Sequence, residues 1–128
     1  MASDAQDAAR GRLTALAADP TAPWAPARRL EEDAALLGRL LTAADRHQRD
    51  DGRHPDVAAD DVGAALSLFE EMRVGLDRLE AQVVMEARRR GMDWRQIARH
   101  QGLNSSQAAS QRYQRLMTRL EEIRQGVR

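Results

Sequence analysis

The chain has 128 residues, 42% hydrophobic but only 3% aromatic, and its twenty arginines (there is no lysine) balance twenty acidic side chains. Scarce Val, Ile, Tyr, Phe and Trp argue against an all-β fold. The absence of cysteine excludes a disulfide framework, a thiolate zinc site and a cysteine nucleophile. No apolar run approaches the roughly 18 residues needed to span a bilayer, and the start, Met1-Ala2-Ser3-Asp4, lacks the basic and apolar regions of a signal peptide. The expectation is a cytoplasmic protein with no membrane contact, built as one domain or as a small domain carrying a helical extension.

The neutral total conceals an asymmetry. Residues 1–87 hold 10 Arg against 17 acids, a balance of −7, whereas residues 88–128 hold 10 Arg against three acids, a balance of +7. Such a basic C-terminal third can meet a polyanion, an acidic partner, or the chain's own acidic half.

In chain order, residues 3–18 form a short helix opened by Ser3 and Gln6 in a capping-box spacing. Leu13 and Leu16 are its only large apolar residues, so it has a weak claim on a core. Pro20, Pro23 and Pro26 then interrupt regular structure. Residues 1–25 therefore read as a flexible or loosely docked arm, with Trp24 either a docking anchor or a packed linker residue, the second being favoured. Residues 26–75 read as a helical scaffold and dimerisation region, and residues 76–128 as the functional region. A helix over residues 27–49 carries Leu30, Ala34, Leu37, Leu41 and Ala44 on one face, widened by Leu36 and Leu40. It ends at Asp50-Asp51-Gly52. The longest helix, residues 60–90, aligns Val62, Leu66, Phe69, Met72, Leu76, Leu79, Val83 and Ala87, a seam for the preceding helix or for a second copy of the chain.

Gly91 closes that helix. Asp93 can cap a short helix from Trp94 to Gln101 that buries Ile97 and Ala98, and Gly102-Leu103 turns the chain. Asn104 or Ser105 caps an extended last helix, which directs Ala108, Ala109, Tyr113, Leu116, Met117, Leu120 and Ile123 inward. A small residue at the crossing, a turning glycine and an apolar plug are what a helix-turn-helix needs. Gln101 stands where an apolar residue is usual, and the turn is one residue longer than the common form. The fold class is all-α: long scaffold helices, then a C-terminal helix-turn-helix.

The outward side of the last helix reads Ser106, Gln107, Ser110, Gln111, Gln114 and Arg115, with no acid between Ser105 and Arg115. A merely solvated helix usually alternates Glu and Arg at four-residue spacing. Amides and hydroxyls suit base edges and phosphates, Gln pairing with adenine and Arg with guanine. The candidate DNA-binding residues are thus Asn104, Ser105, Ser106, Gln107, Ser110, Gln111, Arg112, Gln114 and Arg115. Arg88, Arg89, Arg90, Arg95, Arg99 and Arg119 are candidate phosphate contacts. Arg112 has a second available role, folding back onto the domain beside Tyr113.

Residues 76–120, LDRLEAQVVMEARRRGMDWRQIARHQGLNSSQAASQRYQRLMTRL, resemble the helix-turn-helix of sigma-factor region 4 and its relatives. They are most similar to small actinobacterial proteins with the signature W-x-x-I-A-x-x-x-G-L-x-S-x-Q-A-A-x-x-R-Y. Trp94, Ile97, Ala98, Gly102, Leu103, Ser105, Gln107, Ala108, Ala109, Arg112 and Tyr113 occupy its positions. The resemblance implies double-stranded DNA bound in the major groove through the helix starting near Ser105, by a transcriptional regulator or nucleoid-associated protein. Specific binding would favour a homodimer. The alternative is an interaction module that contacts a sigma factor or RNA polymerase without gripping DNA.

No catalytic arrangement, cofactor fingerprint or metal site is expected. His47 and His54 near Asp45, Asp50, Asp51 and Asp56 read as a solvated acidic loop. His100 reads as surface, Ser105-Ser106 lacks a nucleophile context, and no phosphate-binding glycine loop is present.

Overall fold

A computed structural model describes residues 2–16 and 24–126. Among them are five helices and no strand: α1 Ala2–Thr14, α2 Ala25–Arg49, α3 Ala59–Arg89, α4 Trp94–Gln101 and α5 Ser106–Arg124. The fold is all-α.

Helix α1 ends one turn earlier than its sequence suggests, and the described side chains of residues 3–16 are all exposed, Leu13 and Leu16 by 64% and 66%. Of the proline-rich stretch, residues 19–23 lie outside the described residues. Helix α2 begins after Trp24, whose ring is exposed, and takes Pro26 into its first turn, where a missing N–H costs nothing. Asp51 and Gly52 at positive φ turn the chain after α2. Asp50 staples the loop by accepting the backbone N–H groups of Arg53 and His54 and contacting the His54 ring. That ring contact holds the Asp50 carboxyl below its ordinary range.

Helices α2 and α3 form an antiparallel hairpin, tied by Arg29 Nη1 to Glu71 Oε1 at 3.0 Å and by close approach of Pro26 to Gly75. The face of α3 that meets α2 is only partly the expected seam. Half-covered positions on α3 include Ala65, Leu68, Met72, Gly75 and Leu79, and on α2 Leu30, Leu37, Leu40 and Ala44. Val62, Leu66, Leu76 and Val83 instead stay 41–66% exposed, and on α2 Leu36 and Leu41 are exposed and Ala34 uncovered. The cause is that α3 is apolar around more than half its circumference. It offers two stripes roughly 80° apart at 100° per residue, and only one meets α2.

The buried core lies at the other end of α3. Ala81, Val84, Ile97, Ala98, Ala109 and Leu116 are the buried apolar residues, and all belong to α3, α4 or α5. Ala87, Met92, Trp94, Leu103 and Tyr113 close around them, with Trp94 and Tyr113 in a tilted pair at 5.8 Å. The small residues Ala98 and Ala109 let α4 and α5 approach closely. Met117, expected inward, is 39% exposed because it sits one position round from Leu116.

Candidate nucleic-acid interface

The loops around α4 determine where α5 points. Gly91 at φ 86° ends the α3 segment, and the Met92 N–H donates back to the Ala87 carbonyl at 3.0 Å. Asp93 accepts from the Gln96 N–H at 2.8 Å, while the Gln96 side chain accepts from the Asp93 N–H at 2.9 Å. This reciprocal box satisfies two donors otherwise left unpaired at a helix start. Gly102 at φ 72° reverses the chain, with the Leu103 N–H donating to the Ala98 carbonyl at 2.8 Å. That left-handed bend carries a penalty for any residue with a Cβ. Ser105, rather than Asn104, caps α5: its Oγ accepts from the Ala108 N–H at 3.1 Å.

With Ala109 and Leu116 buried, helical periodicity directs the opposite side of α5 into solvent. Asn104, Ser105, Ser106, Gln107, Gln111, Gln114 and Arg115 are exposed, and Ser110 is half-buried at the edge. Thr118 extends the row one turn beyond Gln114 and is also exposed; its position was readable from i, i+4, i+7, i+11 spacing with Gln107, but it lies outside the acid-free window that drew attention. Beside the start of α5, Arg95 and Arg99 of α4 line a shallow concavity with Asn104, Ser105 and Ser106.

The six candidate phosphate contacts, together with Arg112 and Arg115, divide into two groups. Among the described residues, Arg95, Arg99 and Arg115 have no carboxylate within 4.0 Å. These three surround the exposed face of α5. The others are engaged by the protein itself. Arg88 lies 4.9 Å above the Trp94 ring and donates to the Met92 carbonyl, while Arg89 and Arg90 pair with Glu86.

Two α3 carboxylates, neither singled out by sequence, hold arginines of α5. Arg112 grips Glu80 with Nε at 2.5 Å and Nη2 at 2.8 Å, so its guanidinium folds back onto the domain. Arg119 Nη1 lies 3.2 Å from Asp77 Oδ2, without the alignment of a hydrogen bond. Gln101 donates to the same Glu80 at 3.3 Å, which accounts for a polar residue at a position normally apolar. The Arg112 hydrogen bond holds the Glu80 carboxyl below the usual carboxylate range against the opposing effect of burial. It also raises the Arg112 pKa. Part of the charge asymmetry is thereby resolved inside the chain. No sequence signal marks pairs separated by 32 and 42 positions.

The exposed face of α5 thus carries uncharged amides and hydroxyls in a row, bordered by Arg95, Arg99 and Arg115, groups suited to contacts with a nucleic acid. Among the described residues no helix is long and apolar enough to cross a membrane. No curated protein and no solved structure matches the chain. Residues 83–122, spanning the end of α3, all of α4 and nearly all of α5, match the Myb-like DNA-binding domain family, and this match supports DNA binding by the helical segment that carries the site.

Proposed function

We propose that the chain reads double-stranded DNA by laying α5 in the major groove, as a non-enzymatic bacterial transcriptional regulator or nucleoid-associated protein in the cytoplasm. The carrying observation is the exposed row Gln107, Gln111, Gln114 with Arg115, free of acids and bordered by Arg95 and Arg99. The amides would contact base edges, Arg115 a guanine or a phosphate, and Arg95, Arg99 and the Ser105–Ser106 backbone the phosphates at the start of α5. Arg112 acts as a positioning residue that fixes α5 to α3 through Glu80. The similarity to sigma-factor region 4 and to small actinobacterial proteins belongs to this reading. So does a homodimer, because one such motif touches few base pairs, each contributing about 1–3 kcal/mol of discrimination.

Fluorescence anisotropy with a random-sequence duplex and a binding-enriched pool, at two salt concentrations, tests the reading. A site-specific regulator binds the enriched pool selectively. A nucleoid-type protein binds both, with a steep salt dependence of about −0.9 per neutralised phosphate on a log–log scale. Failure to bind either overturns it and favours the alternative, contact with a sigma factor or RNA polymerase.

A further inference from the structure

Helix α1 is 13 residues long, and the described side chains of residues 3–16 are all exposed. The main helix contacts join α2 to α3, α4 to α5 and α3 to α5. In water an isolated helix as short as α1 is marginal, because few hydrogen bonds follow a costly nucleus. Its Asp7–Arg10 ion pair is solvent-exposed and adds little. The stability of α1 therefore has to come from a surface it packs against.

The neighbouring hairpin carries an uncovered row of matching length. Val62, Leu66, Phe69 and Leu76 of α3 are exposed by 41%, 66%, 38% and 56%, and periodicity in an antiparallel pair puts Leu41 of α2, 67% exposed, on the same side. Helix α1 and the turn after it have one apolar row, Ala5, Ala9, Leu13 and Leu16, at steps of four, four and three. That row is roughly 17 Å long, against roughly 15 Å from Leu66 to Leu76. The whole chain exposes 10335 Å², against roughly 6,800 Å² for a compact monomer of 14.3 kDa.

We propose that α1 is the third helix of the scaffold, folding back within its own chain onto this row, antiparallel to α2 and parallel to α3. Residues 15–24 alone connect α1 to α2. A tether that short holds the arm beside the hairpin at an effective concentration on the order of millimolar. Short connections also set consecutive helices antiparallel.

Volume and charge agree with that direction. The approach of Pro26 to Gly75 and the Arg29–Glu71 bond fix which residues of α2 and α3 stand level. With Leu16 set against Leu76, Leu13 meets the stem of Arg73, whose guanidinium lies 5.9 Å over the Phe69 ring. Ala9 and Ala5 fall beside Phe69 and Leu66, small residues against large. On one flank Arg10 then stands level with Glu31 of α2. On the other, Arg12 lies within one turn of Glu70 of α3.

The chain has no cysteine, so introduced thiols report the contact directly. Full-length Leu13→Cys/Arg73→Cys is compared with Leu13→Cys/Ser67→Cys, whose second thiol lies on the other side of α3, in the cleft lined by Arg29 and Glu122. With a short bis-maleimide in dilute solution, the first should form an internal link, mapped by peptide mass, at least ten-fold faster than the second. Equal rates would mean an arm that visits every face alike and would overturn the proposal. Links formed only between chains would overturn its internal character. Amide hydrogen exchange tests it without thiols. Amides of α1 in the wild-type chain should exchange at least ten-fold more slowly than in an unstructured peptide. Leu66→Glu should remove that protection and leave α4 and α5 protected. Unprotected α1 amides in the wild type, or protection that survives Leu66→Glu, would equally refute the docking. None of these readouts uses DNA, so they stand apart from the DNA-binding reading.

Discussion

The Glu80–Arg112 contact should be the main polar fastening of α5 to α3. Glu80→Gln keeps the side-chain volume and removes the charge that receives two guanidinium hydrogen bonds, at 2.5 and 2.8 Å. A hydrogen bond to a charged group contributes about 1.5–3 kcal/mol. Arg112 is 47% exposed, so solvent screening reduces this to about 1–2 kcal/mol for the pair. At about 4 °C per kcal/mol for a domain of this size, the melting temperature should fall by about 4–8 °C. A cycle with Arg112→Met separates the pair from losses unique to either residue. The sign with pH follows from the depressed Glu80 carboxyl: its contribution is present above the unfolded value near 4.5 and disappears as pH falls through the lower folded value. The difference between wild type and Glu80→Gln should therefore be full at pH 7 and shrink below about pH 4. A coupling energy under about 0.3 kcal/mol at pH 7, or a difference that persists undiminished in acid, would refute this account.

Replacing Gln107 and Gln111 together by Ala should flatten preference among duplex sequences in a binding-selection assay while leaving the melting temperature within about 2 °C. Unchanged preference would remove α5 as the reader. Arg115→Ala should lower DNA affinity several-fold and reduce the salt slope by about 0.9; a loss of stability instead would show that it packs. Ala109, 1% exposed at the helix crossing, should not tolerate Arg. Ala109→Arg forces a charge into the core and should abolish cooperative melting, whereas a wild-type transition would mean the buried face of α5 is misassigned.

The C-terminal motif was legible because its signals are local. Asp93 with Gln96, Gly102 and Ser105 each act within three to five residues, and the structure puts them to the uses their chemistry suggests. The outward set on α5 followed from one period and one absence, that of acids. The seam on α3 was not legible in the same way. Nearly every third and fourth residue there is apolar along two overlapping rows, and periodicity cannot say which row meets α2. The fates of Arg112 and Arg119 were hidden for a different reason. Their partners Glu80 and Asp77 lie on another helix, and a basic residue reads alike in sequence whether it faces phosphate or carboxylate.

Helix α3 has one further consequence. Residues 65–79 line α2, while Ala81 and Val84 enter the core shared with α4 and α5, and the helix runs without interruption from Ala59 to Arg89. The hairpin and the C-terminal motif thus share a single unbroken helix. The orientation of α5 relative to α2 is accordingly set by the count of residues along α3: one inserted residue there would rotate everything beyond it by about 100° and advance it by about 1.5 Å.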